Sequence, residues 1–277
     1  MSNPLAKYFR QPQLYVKLPS MGKWYRPESI DMPVTKELPV FPMTAKDEIM
    51  IKTPDALLTG QATVDVIHSC VPNIKNAWDI PAVDLDMILI AIRRATYGNV
   101  MEFVSVCPHC KKQNESAINL EVLSNSEFIP DFDEVIQVQG LEIYVKPQNY
   151  YQINKIAMEN FEQQRAAMFL LDENTSQEQK KIMINDFIAK IVEISLEVVK
   201  TSILAIKTQE GVLVQEQKFI EEFLRNCNKE VWESIRQRLE SIGDQSPSKK
   251  IQLDCIQDNC KKSYTTPLIF DLANFFA

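Results

Sequence analysis

The chain has 277 residues, 45% of them hydrophobic and 24% charged, and its formal net charge is -7. This is the composition of an ordinary globular protein that can bury a core without disulfide bonds. Its lysines and arginines are scattered in short pairs. The chain therefore lacks the long basic face that binds nucleic-acid phosphates, and nucleic acid is not an expected partner.

The sequence also argues against catalysis and against a membrane span. Six glycines and two histidines leave little material for phosphate-binding loops or acid–base chemistry, and no nucleotide-binding or nucleophile-elbow motif occurs. The longest apolar stretch, residues 87–92, is too short to cross a bilayer. The N-terminus has no apolar core behind a basic start, so we expect a cytosolic protein without a secretory signal.

The first 54 residues form a proline-rich segment. Proline fixes φ and lacks an amide donor, so this segment cannot hold long helices or central strands. It predicts an extended arm with short strand-like pieces at residues 13–18 and 48–52. The alternative, an ordered and proline-bent part of the main domain, stays open.

Residues 55–146 predict a mixed α+β body. Residues 55–70 suit either a helix or a strand, because their apolar run fits both periods. Residues 81–98 predict a buried helix with Pro81 in its first turn, early Asp84 and Asp86 that match the helix dipole, and Gly98 after its end. Strands are predicted at residues 99–106 and 116–120, and a hairpin at residues 135–145.

Residues 147–250 are rich in helix-forming residues and predict a mainly helical insertion. Helices are expected at residues 148–171, from a capping box at residues 175–178 to residue 200, and at residues 215–226 and 228–242, with Asn228 as an N-cap. A short hairpin at residues 201–214 turns at Gly211. A loop at residues 243–250 then leads to strands at residues 251–253 and 263–270.

Four cysteines in two close pairs form the clearest candidate site in the sequence. Cys107 and Cys110 follow one predicted strand, Cys255 and Cys260 follow another, and each pair is followed by two lysines. Close cysteine pairs in a reducing cytosol indicate metal rather than disulfides, and four thiolates are the ligand set of a structural zinc site. A common zinc ribbon has about 15–20 residues between its pairs. Here 144 residues intervene, which predicts a ribbon split by the helical insertion.

Other roles for these cysteines are less consistent with their surroundings. A thioredoxin-like CxxC would open a helix, whereas a strand-like run follows Cys110, and a catalytic zinc needs an open coordination position. His109 is most simply a spacer within the turn, and whether it, His68 or Cys70 adds a ligand stays open. A zinc-dependent nucleic-acid adaptor remains the alternative function.

The fold prediction is therefore an α+β protein with a split zinc-ribbon-like element. Its parts are a proline-rich arm (residues 1–54), a body (residues 55–146 with 251–277) and a helical insertion (residues 147–250). Cys107, Cys110, Cys255 and Cys260 are the predicted ligands of a structural Zn²⁺, and no catalytic residue is predicted.

The N-terminal third resembles a family of baseplate hub proteins from T-even-like contractile-tailed phages. The likeness is dense over residues 3–123 and looser beyond. The segments that carry it are NPL (3–5), YFR (8–10), LPVFPMTAKDE (38–48), TPDALLTG (53–60), CVPNI (70–74), DLDMILIAIRRATYG (84–98) and CPHC (107–110).

This resemblance implies a non-enzymatic subunit or assembly chaperone of a phage baseplate hub. Its partners would be other hub, tape-measure or tail proteins, and self-association is left open. The protein would act in the host cytoplasm during assembly and, as a subunit, stay in the tail baseplate of the virion.

Overall fold

The computed structural model describes residues 3–52, 59–124, 131–170, 177–244 and 251–268. The chain divides into two compact units, one formed by Met1–Pro130 with Asp244–Ala277 and the other by Asp131–Gly243. Both units combine helices with antiparallel strands, so the predicted mixture of α and β structure is confirmed. None of the helices within the described ranges is long and apolar enough to cross a membrane.

The proline-rich segment contributes to the core of the first unit. Strand β1 (Leu14–Lys17) pairs antiparallel with β2 (Glu37–Val40), after a single 3₁₀ turn at Ala6–Tyr8. Leu18 and Leu38 are fully buried. The described part of this segment is therefore packed within the first unit.

Helix α1 (Ala45–Ile51) shows that the predicted extended piece at residues 48–52 is wrong. Thr44 and Asp47 form a capping box, in which each side chain accepts a hydrogen bond from the backbone amide of the other. Two otherwise unpaired donors are satisfied in this way, which outweighs the strand preference of the isoleucines that follow. The ambiguous stretch is helical over α2 (Gln61–Cys70), and its residues 55–58 lie outside the described ranges.

Helix α3 (Ala82–Tyr97) confirms the predicted buried helix. Ile88 and Ile92 share one face of it and Ile90 lies on the opposite face, yet all three are inaccessible to solvent, so the helix is enclosed by the first unit. Gly98 ends the helix with φ 88° and ψ -174°, a conformation that residues with a Cβ avoid. The Gly98 amide donates to the Arg94 carbonyl at 3.0 Å.

A long hairpin follows in the first unit, as the sequence predicts. Strand β3 (Val100–Val106) pairs with β4 (Gln113–Asn119) along its whole length, from Val100 opposite Asn119 to Val106 opposite Gln113. Helix α4 (Leu120–Ser124) continues from β4. The hairpin places Cys107 and Cys110 in the turn between its strands.

The second unit contains a four-stranded antiparallel sheet in the order β5-β6-β7-β8. The predicted hairpin forms β5 (Ile136–Val138) and β6 (Leu141–Val145), while β7 (Ile203–Lys207) and β8 (Leu213–Val214) come from the later predicted hairpin. Because β6 pairs with β7, the sheet joins a hairpin assigned to the body with strands assigned to the insertion. This pairing places residues 131–146 in the second unit.

The helices of the second unit follow the predicted pattern. They are α5 (Tyr150–Leu170), α6 (Gln177–Ser202), α7 (Gln217–Asn226) and α8 (Lys229–Asp244). Asn228 accepts from the Val231 amide at 3.1 Å, which confirms it as an N-cap. Residues 175–176 of the predicted capping box and 245–250 of the predicted loop lie outside the described ranges.

A second, shorter cysteine hairpin belongs to the first unit. Strand β9 (Ile251–Asp254) pairs with β10 (Ser263–Thr266), and Cys255 and Cys260 lie in the turn between them. Residues 269–270 of the predicted outgoing strand lie outside the described ranges.

Candidate metal centre

The two hairpins bring the four predicted ligands together. The sulfurs of Cys107, Cys110, Cys255 and Cys260 all lie within 4.8 Å of one another. Two sulfur pairs join one hairpin to the other, Cys107 to Cys260 at 3.8 Å and Cys110 to Cys255 at 3.7 Å. Cys107 and Cys255 are buried, while Cys110 and Cys260 are partly exposed.

These distances fit a tetrahedral metal site and exclude disulfides. Zinc–thiolate bonds of about 2.3 Å place the sulfurs of a regular tetrahedron about 3.8 Å apart, whereas bonded sulfurs lie about 2.05 Å apart. The cysteines are free thiols. The donor set and its spacing are thus compatible with zinc, with both hairpins supplying two ligands each.

The two cysteine turns share a backbone pattern, as their flanking sequences indicate. In each turn, the backbone amide of the first cysteine donates a hydrogen bond to the backbone carbonyl of the second lysine. The Cys107 amide donates to the Lys112 carbonyl at 3.0 Å, and the Cys255 amide donates to the Lys262 carbonyl at 3.1 Å. The residue after the second cysteine has positive φ in both turns, 61° at Lys111 and 46° at Lys261. A lysine therefore occupies a conformation that glycine more commonly adopts.

The longer spacing of the second turn has a structural explanation. The Lys111 amide donates to the Cys107 carbonyl, whereas the Lys261 amide donates to that of Gln257, so Gln257 takes the backbone position that Cys107 has in the first turn. The longer turn also contacts the other hairpin. The Ile256 amide donates to Asn114 Oδ1 at 2.7 Å, and Gln257 Nε2 donates to the Gln113 carbonyl at 3.3 Å.

A buried polar network connects the hairpins beneath the cysteines. Asn114 is fully buried and donates through Nδ2 to the Tyr264 hydroxyl at 2.9 Å and the Asp254 carbonyl at 3.2 Å. The Tyr264 hydroxyl also shares a 2.6 Å hydrogen bond with Ser105 Oγ. Sequence reasoning missed these residues. The available signal was positional, since Asn114 and Tyr264 each lie four residues after the second cysteine of their turn.

The surroundings of Cys107 and Cys255 shift the pKa values of these two thiols in opposite directions. Burial raises the pKa of Cys107, but hydrogen bonds from the backbone amides of Cys110 and His109 and from neighbouring thiols outweigh it and lower the pKa to about 7. Burial and the surrounding thiols raise the pKa of Cys255 to about 12. A bound cation would favour all four thiolates, so metal binding would release protons. The four lysines that follow the cysteines are exposed and add positive charge near the site.

The three residues left open as further ligands are not part of this cluster. His68 Nε2 accepts from the Ala77 amide at 3.1 Å, and burial lowers the His68 pKa. Cys70 is fully buried beside Arg10, and burial raises its pKa to about 12, as expected of an inert thiol. His109 is exposed in the first turn. Among the described residues, the four cysteines form the one group with three or more candidate metal ligands.

Fold and site together define a two-unit α+β protein in which two hairpins, distant in sequence, meet at a four-cysteine centre. The model of a protein family described as T4 bacteriophage base plate protein matches residues 14–277, and the chain belongs to that family. No curated protein and no solved structure matches the chain. The match confirms the resemblance to phage baseplate proteins, extends it over the C-terminal half and does not favour the nucleic-acid adaptor.

Proposed function

We propose that this baseplate protein is a non-enzymatic component of the baseplate hub, either a subunit or an assembly factor that leaves. It acts through contacts with other hub, tape-measure or tail proteins in the host cytoplasm, and as a subunit it would remain in the tail. The family match over residues 14–277 carries this proposal.

The cysteine cluster supports a structural role for zinc. Four thiolates fill a tetrahedron and leave no coordination position for water or substrate, in contrast to catalytic zinc sites. The metal would connect two short hairpins whose ligands Cys110 and Cys255 are 145 residues apart in sequence. Its contribution would be the shape of the first unit rather than a reaction.

Buried carboxylates of the first unit also have structural partners. Asp84 accepts from the Ser20 amide at 2.8 Å and from the Tyr25 hydroxyl at 3.1 Å. Asp79 accepts hydrogen bonds from Ser29 and Asn76. These groups hold the proline-rich segment against α3 and the preceding 3₁₀ turn at Ala77–Asp79, which supports a role for them in folding.

Mass spectrometry of mature phage particles tests the hub assignment. A subunit is expected at a fixed ratio to other baseplate proteins, whereas an assembly factor is expected in infected cells but not in particles. Co-expression with hub and tape-measure proteins should give a complex that survives size-exclusion chromatography. Absence from particles combined with the absence of any such complex would contradict both forms of the proposal.

Metal analysis tests the zinc assignment separately. Purified protein should contain about one zinc per chain, as expected for a four-thiolate site. Cys255→Ser should lose the metal, while Cys227→Ser, which changes a partly exposed cysteine outside the cluster, should retain it. Metal-free native protein with four freely reactive thiols would contradict the zinc site without affecting the hub proposal.

A further inference from the structure

Strand β3 has a backbone edge that faces none of the other described strands of the first unit. The Cys107 amide bonds to the Lys112 carbonyl at one end of the hairpin, and the Leu120 amide bonds to the Asn99 carbonyl at the other. Hydrogen-bonded pairs alternate along an antiparallel ladder, so the odd-numbered residues of β3 bond to β4. The even-numbered residues direct their amides and carbonyls away from β4, and no described strand pairs with them.

The side chains at these even-numbered positions are unusually apolar for an exposed edge. Val100, Val104 and Val106 are 63%, 58% and 59% exposed, and Glu102 is the one charged residue among the four. A long edge with exposed β-branched residues readily accepts another strand, and proteins normally protect such edges with proline, lysine, bulges or short length. Strand β3 has seven residues and none of these features.

The other described edge strands are better protected. Strand β2 contains Pro39, β1, β9 and β10 have four residues each, β5 has three and β8 has two. The outer edge of β4 presents Glu115 and Gln113, and the Gln113 carbonyl already accepts from Gln257. The apolar and unprotected edge is therefore a particular property of β3.

We propose that β3 pairs with β3 of a second copy of this chain, antiparallel about a two-fold axis, to form a continuous sheet β4-β3-β3-β4. The register with Val100 opposite Val106 of the second copy and Glu102 opposite Val104 uses the outward amides and carbonyls of all four residues. A two-residue shift places Glu102 opposite Glu102, or Val100 opposite Pro108, which has no amide donor. Complementary backbone groups and the absence of directly opposed like charges favour a second copy as the occupant.

This inference goes beyond the proposed function and does not depend on the metal. Strand β3 is held in place by its pairing with β4 within one hairpin, and this pairing directs the amides and carbonyls of its even-numbered residues outward. Exposed valines from both copies would lie side by side on one face of the sheet, where cross-strand apolar pairs stabilise the pairing.

Sedimentation equilibrium of the full chain over a dilution series, loaded with zinc, tests the proposal. Wild-type protein should show a monomer–dimer equilibrium. Two double variants then test the register: Val100→Lys with Val106→Lys, and Val100→Glu with Val106→Lys. The first places like charges opposite each other twice and the second places opposite charges there, so the first should dissociate at least about tenfold more readily.

This comparison is matched because the intramolecular neighbours of positions 100 and 106 are the uncharged Asn119 and Gln113. A second pair of variants tests the backbone edge. Val104→Pro removes an amide that points away from β4 and should abolish the dimer. Ala117→Pro makes the same change on the outer edge of β4 and should not.

Monomeric wild-type protein at every concentration would overturn the proposal and would leave this edge to a strand of another protein. Equal dissociation of the two charged double variants would also overturn it, because position 100 would then not face position 106. Should a proline variant fail to fold, the charged variants decide the question by themselves.

Discussion

Asn114 contacts the second cysteine hairpin through both ends of its amide group. Its Oδ1 accepts from the Ile256 amide, and its Nδ2 donates to the Tyr264 hydroxyl and the Asp254 carbonyl. The side chain is fully buried, so the groups that it satisfies have little access to water. Asn114 therefore fixes how the two hairpins pack, independently of the metal.

Asn114→Ala should lower the free energy of unfolding by about 2–3 kcal/mol, because buried donors and acceptors lose their partners. Urea denaturation of the zinc-loaded protein measures the change. Gln113→Ala is the matched control, since Gln113 is exposed and contacts Gln257 through its backbone carbonyl, which the substitution keeps. Equal effects of the two substitutions would contradict the role of Asn114.

Asp84 has a role that differs from the one its sequence position indicates. It lies in the first turn of α3, as predicted, but it is fully buried and accepts hydrogen bonds from Ser20 and Tyr25. Burial raises the pKa of Asp84 to about 6, because the hydrogen bonds from Ser20 and Tyr25 only partly offset the loss of solvation. The folded protein therefore binds this proton more tightly than the unfolded chain.

The raised pKa of Asp84 makes the folded protein less stable as the pH rises. The stabilisation from a protonated Asp84 is fully present below its unfolded pKa of 3.8 and is lost as the pH rises through about 6. The difference amounts to about 3 kcal/mol between these limits. Asp84→Asn cannot titrate and should remove this part of the decline, whereas Asp186→Asn, at an exposed position, should not. Parallel pH profiles of wild type and Asp84→Asn in urea unfolding would contradict the assignment.

At the scale of single elements, the sequence predicts most helices and strands but not every boundary. Helix α3 is predicted because its terminal Pro81 and Gly98 and its apolar residues agree. Helix α1 is missed because its short isoleucine-containing segment fits a strand unless the Thr44–Asp47 capping box is recognised. A helix can be predicted from its local sequence when several signals agree, and it is missed when a single capping pair determines whether it forms.

Replacing Gly98 or Gly243 by alanine should change the free energy of unfolding in opposite directions, which tests these local signals. Gly98→Ala should lower the free energy of unfolding by about 1–3 kcal/mol, because φ 88° with ψ -174° disfavours a Cβ although the surrounding space is open. Gly243→Ala, in the last turn of α8 with equally open space, should raise it by roughly 0.5–1 kcal/mol. Thermal unfolding measures both, and a destabilising Gly243→Ala would contradict the helical preference on which the comparison rests.

At the scale of the whole molecule, the sequence identifies the four cysteines that cluster but not how the strands distribute between units. The paired cysteines share flanking residues, which identifies them without knowledge of the fold. The pairing of β6 with β7 joins segments about 60 residues apart, and no local pattern specifies it. The contacts of Asn114 with residues 254–264 are missed for the same reason.

Removal of zinc should act on the first unit selectively. A two-stranded hairpin is marginally stable alone, so β9 and β10 would depend on a bound metal and on the Asn114 network. A chelator should therefore accelerate amide hydrogen exchange in β9, β10 and the adjoining ends of β3 and β4. Amides of β6 and β7 in the second unit should keep their protection. Uniform acceleration in both units would contradict this expectation.

The sequence distance between Cys110 and Cys255 also has a consequence during synthesis. A ribosome adds about 5–20 residues per second, so roughly 7–30 seconds separate the emergence of the first thiol pair from that of the second. Throughout this interval the nascent chain offers only two of four ligands. Binding of a metal by all four thiolates would therefore have to wait until Cys260 has been synthesised.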